Sequence, residues 1–261
     1  MSNVFLSTAL ITLAERSVGC DDNDEVCEGK VYGFRPSSLI TIIATISGLL
    51  SAFLLPIIGA VVDYTRHRKG LAITFTALVM TIQAIQIGTV QATWFVMAVL
   101  QAINGFFYQA LMVAAYAYLP EIRRRVGNKK MVGYSSRFQI WMFASQSLYL
   151  LIVIGISMVL VADDVLTGQL GQGIDVVFSG LSYFLALYFF TPCKPKRELP
   201  EGHSLVTAGF KQVFTTTVGI WKHYPSTLSW FLLAVLFGES GEFHAELHCS
   251  TLASRFWHVT D

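Results

Sequence analysis

The chain has 261 residues, 54% hydrophobic and only 13% charged, with 18 basic against 17 acidic side chains. A soluble globular domain carries about 25% charged residues, so this composition argues against a purely water-soluble fold. A net charge of +1 leaves no basic footprint for nucleic acid, which is not an expected partner.

Met1 to Ala14 is apolar but short of the roughly 20 residues a spanning helix needs. It reads as an interfacial or signal-like segment, or as the later part of a first helix. The second predicted helix covers Ser37 to Val62, with Ala44, Gly48 and Ala52 at intervals of four, followed by Pro56. Small residues at that spacing admit a neighbouring helix, and Pro56 removes a helical hydrogen bond, so a kink is expected. From Gly70 to Pro120 there is no Asp, Glu, Lys or Arg. About fifty uncharged residues fit two spans, predicted as Leu71–Val90 and Trp94–Leu119 with a turn between. A fifth helix is predicted over Gln139–Val161 and a sixth from about Ile174 to Phe190. The runs are continuously apolar rather than alternating, which favours helices over a barrel.

Charges in the connections alternate in sign. Glu15–Arg35 sums to −3, Asp63–Lys69 to +2, Glu121–Arg137 to +5, the acids Asp163, Asp164 and Asp175 to −3, and Lys194–Lys222 to +3. Basic excess marks the cytosolic side of a membrane. The 63–69, 121–137 and 194–222 connections are therefore cytosolic, and so is the N-terminus if Met1–Ala14 belongs to a first helix. That orientation disfavours a seven-helix receptor, whose N-terminus lies outside. Cys20 and Cys27 fall in the acidic, non-cytosolic connection, where a disulfide is permitted; two free thiols are the other reading. The basic 123–130 run suits contact with anionic membrane lipid, and is also simply the inside marker.

The connection after the second helix reads PIIGAVVDYTRHRKG. Gly59 and Asp63 are followed by Arg66, Arg68 and Lys69. Such a cluster at a membrane surface can hold helix ends in one conformation and release them in another; an ordinary cytosolic basic loop is the alternative. This Gly-x-x-x-Asp with a basic cluster resembles the loop signature of the major facilitator superfamily. It departs from that pattern at Arg66, where Gly is usual, and at His67, where Arg is usual. Asp63-Tyr64 before a basic run, the stretch Ala117-Tyr118-Leu119-Pro120-Glu121-Ile122 and the opening SNVFLSTALITLAE are similar to the branch of vacuolar amino-acid effluxers linked to autophagy.

The resemblance covers roughly Met1 to Phe237 and implies an all-α membrane protein. The expected architecture is the six-helix N-terminal half of a major facilitator type bundle plus a partial seventh helix. Residues 1–192 would form the bundle, 193–225 a cytosolic connecting loop, 226–238 the partial helix and 239–261 a polar, aberrant tail. The implied activity is secondary transport of amino acids out of the vacuole, by alternating access about a site at the midplane between two halves. The partners would be membrane lipid, a small-molecule substrate and the C-terminal half of the transporter. The alternative is a remnant that transports nothing alone and serves as an assembly partner.

Polar residues inside spans are the candidates for a substrate path. Gln101, Asn104 and Tyr108 share one face of the fourth helix by spacing, and Gln146 lies in the fifth; Gln83, Gln86 and Tyr149 are further polar residues of this kind. Amides and a phenol can bind a zwitterion, or they can join helices to one another. His244, His248 and Cys249 are not in metal-site order, and no metal or other cofactor is expected. Neither a nucleophile–base set nor a phosphate loop is legible, so an enzyme is not expected.

Overall fold

Backbone groups in hydrocarbon must bond to one another, and every long apolar run of this chain is helical. The structure, a computed structural model, describes residues 2–20, 29–189, 204–223 and 230. The chain divides into two compact units, Met1–Glu201 and Gly202–Asp261. The first contains α1 (Ser2–Ser17), α2 (Leu39–Tyr64, led by a 3-10 turn at Pro36–Ser38), α3 (Arg68–Gln86) and α4 (Trp94–Tyr116). It continues with α5 (Leu119–Val126), α6 (Asn128–Leu160) and α7 (Asp164–Phe189). The second contains α8 (Leu205–His223). Among the described residues the only β pairing is the single bridge Val31–Phe34. The chain is an all-α membrane protein: four stretches, Pro36–Tyr64, Arg68–Gln86, Trp94–Val126 and Asn128–Leu160, are helical, long and apolar enough to cross a bilayer.

Helix α4 is the centre of the first unit. One side of it places Trp94, Met97 and Ala98 against Leu6, Leu10, Leu13 and Ala14 of α1. Further along, Ala110, Leu111 and Ala114 meet Val62 of α2 and Ala72 and Phe75 of α3. Alanines at these positions let four helices converge, and close packing rather than exclusion of water holds them where lipid is the solvent. Helix α6 shows the opposite face of that rule: Trp141, Phe143, Leu151 and Val159 are 66–83% exposed, a patch that lipid would cover.

Several boundaries differ from the sequence reading. Of the readings offered for Met1–Ala14, the helix of the bundle is the one seen, with Leu6, Ala9 and Leu10 of α1 fully buried. Helix α6 begins at Asn128, eleven residues before the predicted Gln139. At 1.5 Å per residue its 33 residues run to about 50 Å, so its basic first turns extend beyond a hydrocarbon core of about 30 Å. Helix α7 begins at Asp164 instead of near Ile174. The predicted small-residue stripe on α2 does not make the close approach: Gly48 has open space around it and Ala52 is exposed. Gly105 of α4 makes it instead, since a Cβ there would sit 2.5 Å from Ser47 Oγ. Pro56 lies within α2.

Candidate functional site

The basic connection after α2 separates into one structural arginine and its surroundings. Arg68 opens α3 and is 1% exposed. Its Nε donates to Val62 O at 2.9 Å and its Nη1 to Ala117 O at 3.5 Å, and the guanidinium lies 6.0 Å from the Tyr118 ring centroid. These carbonyls belong to the C-terminal ends of α2 and α4, where the helix dipole favours a cation. Arg68 thus joins three helix ends on the basic side. Asp63 is half-buried, Arg66 exposed and Lys69 half-buried; Gly59 has open space where a Cβ would sit. The tight turn forms although Arg66 replaces the usual glycine. Thr65 builds it, donating its hydroxyl to Val61 O at 2.6 Å and accepting from His67 N at 3.2 Å.

Near the other end, amide side chains tie helices together. Gln86 donates to Gln101 Oε1 at 2.9 Å, Gln169 to Thr89 O at 2.7 Å and Gln91 to Leu13 O at 3.0 Å. Gln86 and Gln101 are 0% and 4% exposed. Asn104 is equally enclosed, and its side-chain oxygen has no partner among the described residues. The face that carries Gln101, Asn104 and Tyr108 is packed at the first two and opens only at Tyr108, which is half-exposed. Gln146 is half-buried on α6.

The charge that sequence reading assigned to a connection lies elsewhere. Asp175 sits in the middle of α7, eleven residues or roughly 17 Å from its first residue. Its Oδ2 accepts from Gln83 Nε2 of α3 at 2.9 Å and its Oδ1 from Ser179 Oγ at 2.6 Å. The phenols of Tyr108, Tyr149 and Tyr183 are all within electrostatic range of it. Gln83 stands one turn before the end of α3, a stretch long and apolar enough to cross a bilayer, so the carboxylate lies between helices of the bundle. A carboxylate offers about four lone-pair sites, so two donors leave room for more. Asp175 is half-buried, which keeps that capacity reachable. An ionisable group between the helices of a membrane bundle is a candidate for a solute or ion path.

Two glycines explain both the position of Asp175 and why it was missed. A Cβ on Gly168 would meet Ala9 Cβ at 2.8 Å and Phe5 O at 3.2 Å, and one on Gly171 would meet Tyr149 Oη at 3.1 Å. Tyr149 also donates its hydroxyl to Gly171 O at 3.0 Å. The glycine- and glutamine-rich 164–175 stretch looks like a loop in sequence, yet its glycines are a helix face fitted against α1. The i, i+3 spacing of Gly168 and Gly171 was the available signal.

At the acidic end, Thr12 bonds Asp164 at 3.3 Å and Arg16 lies 3.9 Å from Asp163, an exposed pair of small energetic weight. Cys20 is disulfide-bonded; Cys27, its expected partner, lies outside the described residues, as do His244, His248, Cys249 and nearly all of the predicted seventh helix. Among the described residues no group of three His, Cys, Asp or Glu could hold a metal ion. The expected 193–225 connection contains α8 over Leu205–His223.

No curated protein and no solved structure matches the chain. A family model does, over residues 1–241, that of the vacuole effluxer Atg22-like proteins. That family comprises transporters rather than enzymes, and the match covers most of this chain. By that match over residues 1–241, the chain belongs to the Atg22-like vacuole effluxer family.

Proposed function

We propose that the chain moves amino acids out of the vacuole by alternating access, with Asp175 receiving the ammonium group of the substrate. The observation that carries this reading is the position of the carboxylate. It stands mid-helix, held on one side by Gln83 and Ser179, with three tyrosine phenols within electrostatic range. A zwitterion needs a negative group for its ammonium and neutral donors for its carboxylate, and the Tyr108 and Tyr183 hydroxyls can supply the second kind. Tyr108 faces open space, so a second set of helices would close the site from that side, as the superfamily resemblance implies. The Arg68 clamp would hold the basic-side helix ends together in one state and part in the other.

The test is efflux of isotopically labelled amino acids from vacuolar-membrane vesicles carrying the chain, compared with vesicles lacking it. Loss of efflux in Asp175→Asn supports the site. Efflux no greater than in empty vesicles identifies the chain as an assembly partner that transports nothing alone.

A further inference from the structure

Helix α8 has two unlike faces. Ala208 and Gly209 are buried and Gln212 and Gly219 half-buried, on one side of the helix. On the far side Val206, Phe210, Val213, Phe214 and Trp221 are 43–72% exposed. At about 100° per residue these five lie within an arc of roughly 100°. The more apolar face is therefore the uncovered one. Lys211 and Lys222 are eleven residues apart, three turns, and fall within about 20° of each other on one flank of that arc.

We propose that α8 lies in the plane of the membrane surface. Its Phe210–Phe214–Trp221 face sinks to the acyl-chain boundary of an anionic phospholipid leaflet, with Lys222 at the level of the phosphates. Three observations select this occupant. Helix α8 contains two lysines and no Asp or Glu, a one-signed charge that complements anionic lipid better than a protein surface of mixed sign. The surrounding Lys194–Lys222 segment has five basic and two acidic residues, the excess expected on the leaflet side rich in acidic lipid. Aromatic anchors with lysine flanks are the composition of interfacial helices. A transbilayer placement is disfavoured, since α8 is not among the stretches long and apolar enough to cross, and Lys211 would enter the core.

The experiment uses the whole chain reconstituted in vesicles of phosphatidylcholine with phosphatidylserine, containing phosphatidylcholine brominated at defined acyl positions. The fluorescence lost in Trp221→Phe isolates the Trp221 signal from the other tryptophans. Expected is quenching about twofold stronger from shallow than from deep bromines, as for a ring about 5–10 Å below the headgroups. It should fall without phosphatidylserine, with added salt, and in Lys222→Glu. A salt titration of the unmodified chain gives the electrostatic result independently of that variant's folding. Absence of quenching by any brominated lipid, which a covering protein or an aqueous helix would give, overturns the proposal. So does strongest quenching by deep bromines, or equal quenching in vesicles free of phosphatidylserine.

Discussion

Gln83 on α3 donates a side-chain N–H to the carboxylate of Asp175 on α7 at 2.9 Å, across 92 residues of chain. The bond joins two helices and orients the only carboxylate in the middle of α7. Hydrogen bonds to charged groups contribute about 1.5–3 kcal/mol. Gln83→Leu is expected to lower the thermal unfolding temperature and to reduce transport. Gln83→Glu, which sets a second acid beside the first, should be worse. Thermal melts of purified protein in detergent, paired with vesicle efflux, check both.

Arg68 is expected to dominate its basic cluster. Arg68→Ala leaves Val62 O and Ala117 O without their cation and should destabilise by about 2–4 kcal/mol, since both ends are enclosed. Arg66→Ala, on an exposed side chain, should fall within about 0.5 kcal/mol of the parent. Denaturation of both variants in one lipid mixture separates a clamp from a merely basic loop; equal effects would refute the clamp.

Gly168 and Gly173 form a matched pair on α7. A Cβ at Gly168 collides with α1, whereas one at Gly173 meets nothing within 4 Å. Gly168→Val should therefore cost about 1–3 kcal/mol through overpacking. Gly173→Ala should be neutral or slightly stabilising, because alanine is the better helix former by up to about 1 kcal/mol. Thermostability by size-exclusion fluorescence after heating reads the contrast directly.

The Gln86–Gln101 bond joins α3 to α4, and a purely structural role for it makes a specific prediction. Double-mutant cycles with Leu at both positions should give a coupling of about 0.6 kcal/mol, at most about 1.7, as for other hydrogen bonds between membrane helices. Efflux should change no more than protein abundance does. A selective loss of efflux at full abundance would return Gln101 to the solute path.

The spans were legible because bilayers exclude charge, so uncharged runs such as Gly70–Pro120 announce themselves. Helix ends were less so. Once a helix leaves the hydrocarbon its residues regain water, and the basic turns of α6 at Asn128–Phe138 carry no hydropathy signal. The same holds for α8, whose mark is the recurrence of Val206, Phe210, Val213 and Trp221 at helical spacing rather than mean hydropathy. Gln101 and Asn104 were selected as polar residues in a span, but polarity alone does not tell a pore from a helix contact; burial does. Asp175 was read as a connection charge because Gly168, Gly171 and Gly173 precede it, and in water such a run favours a turn. Against α1 the first two glycines instead permit close packing, which sequence shows only as a spacing.

The central claim is that Asp175 is the group between the helices that meets the solute. Its most direct test is vesicle efflux of labelled amino acids by the parent chain, Asp175→Asn and Asp175→Glu, each normalised to folded protein. The account predicts that Asn, which keeps the shape and loses the charge, abolishes efflux, whereas Glu retains part of it. Undiminished efflux from Asp175→Asn at parental abundance would contradict it.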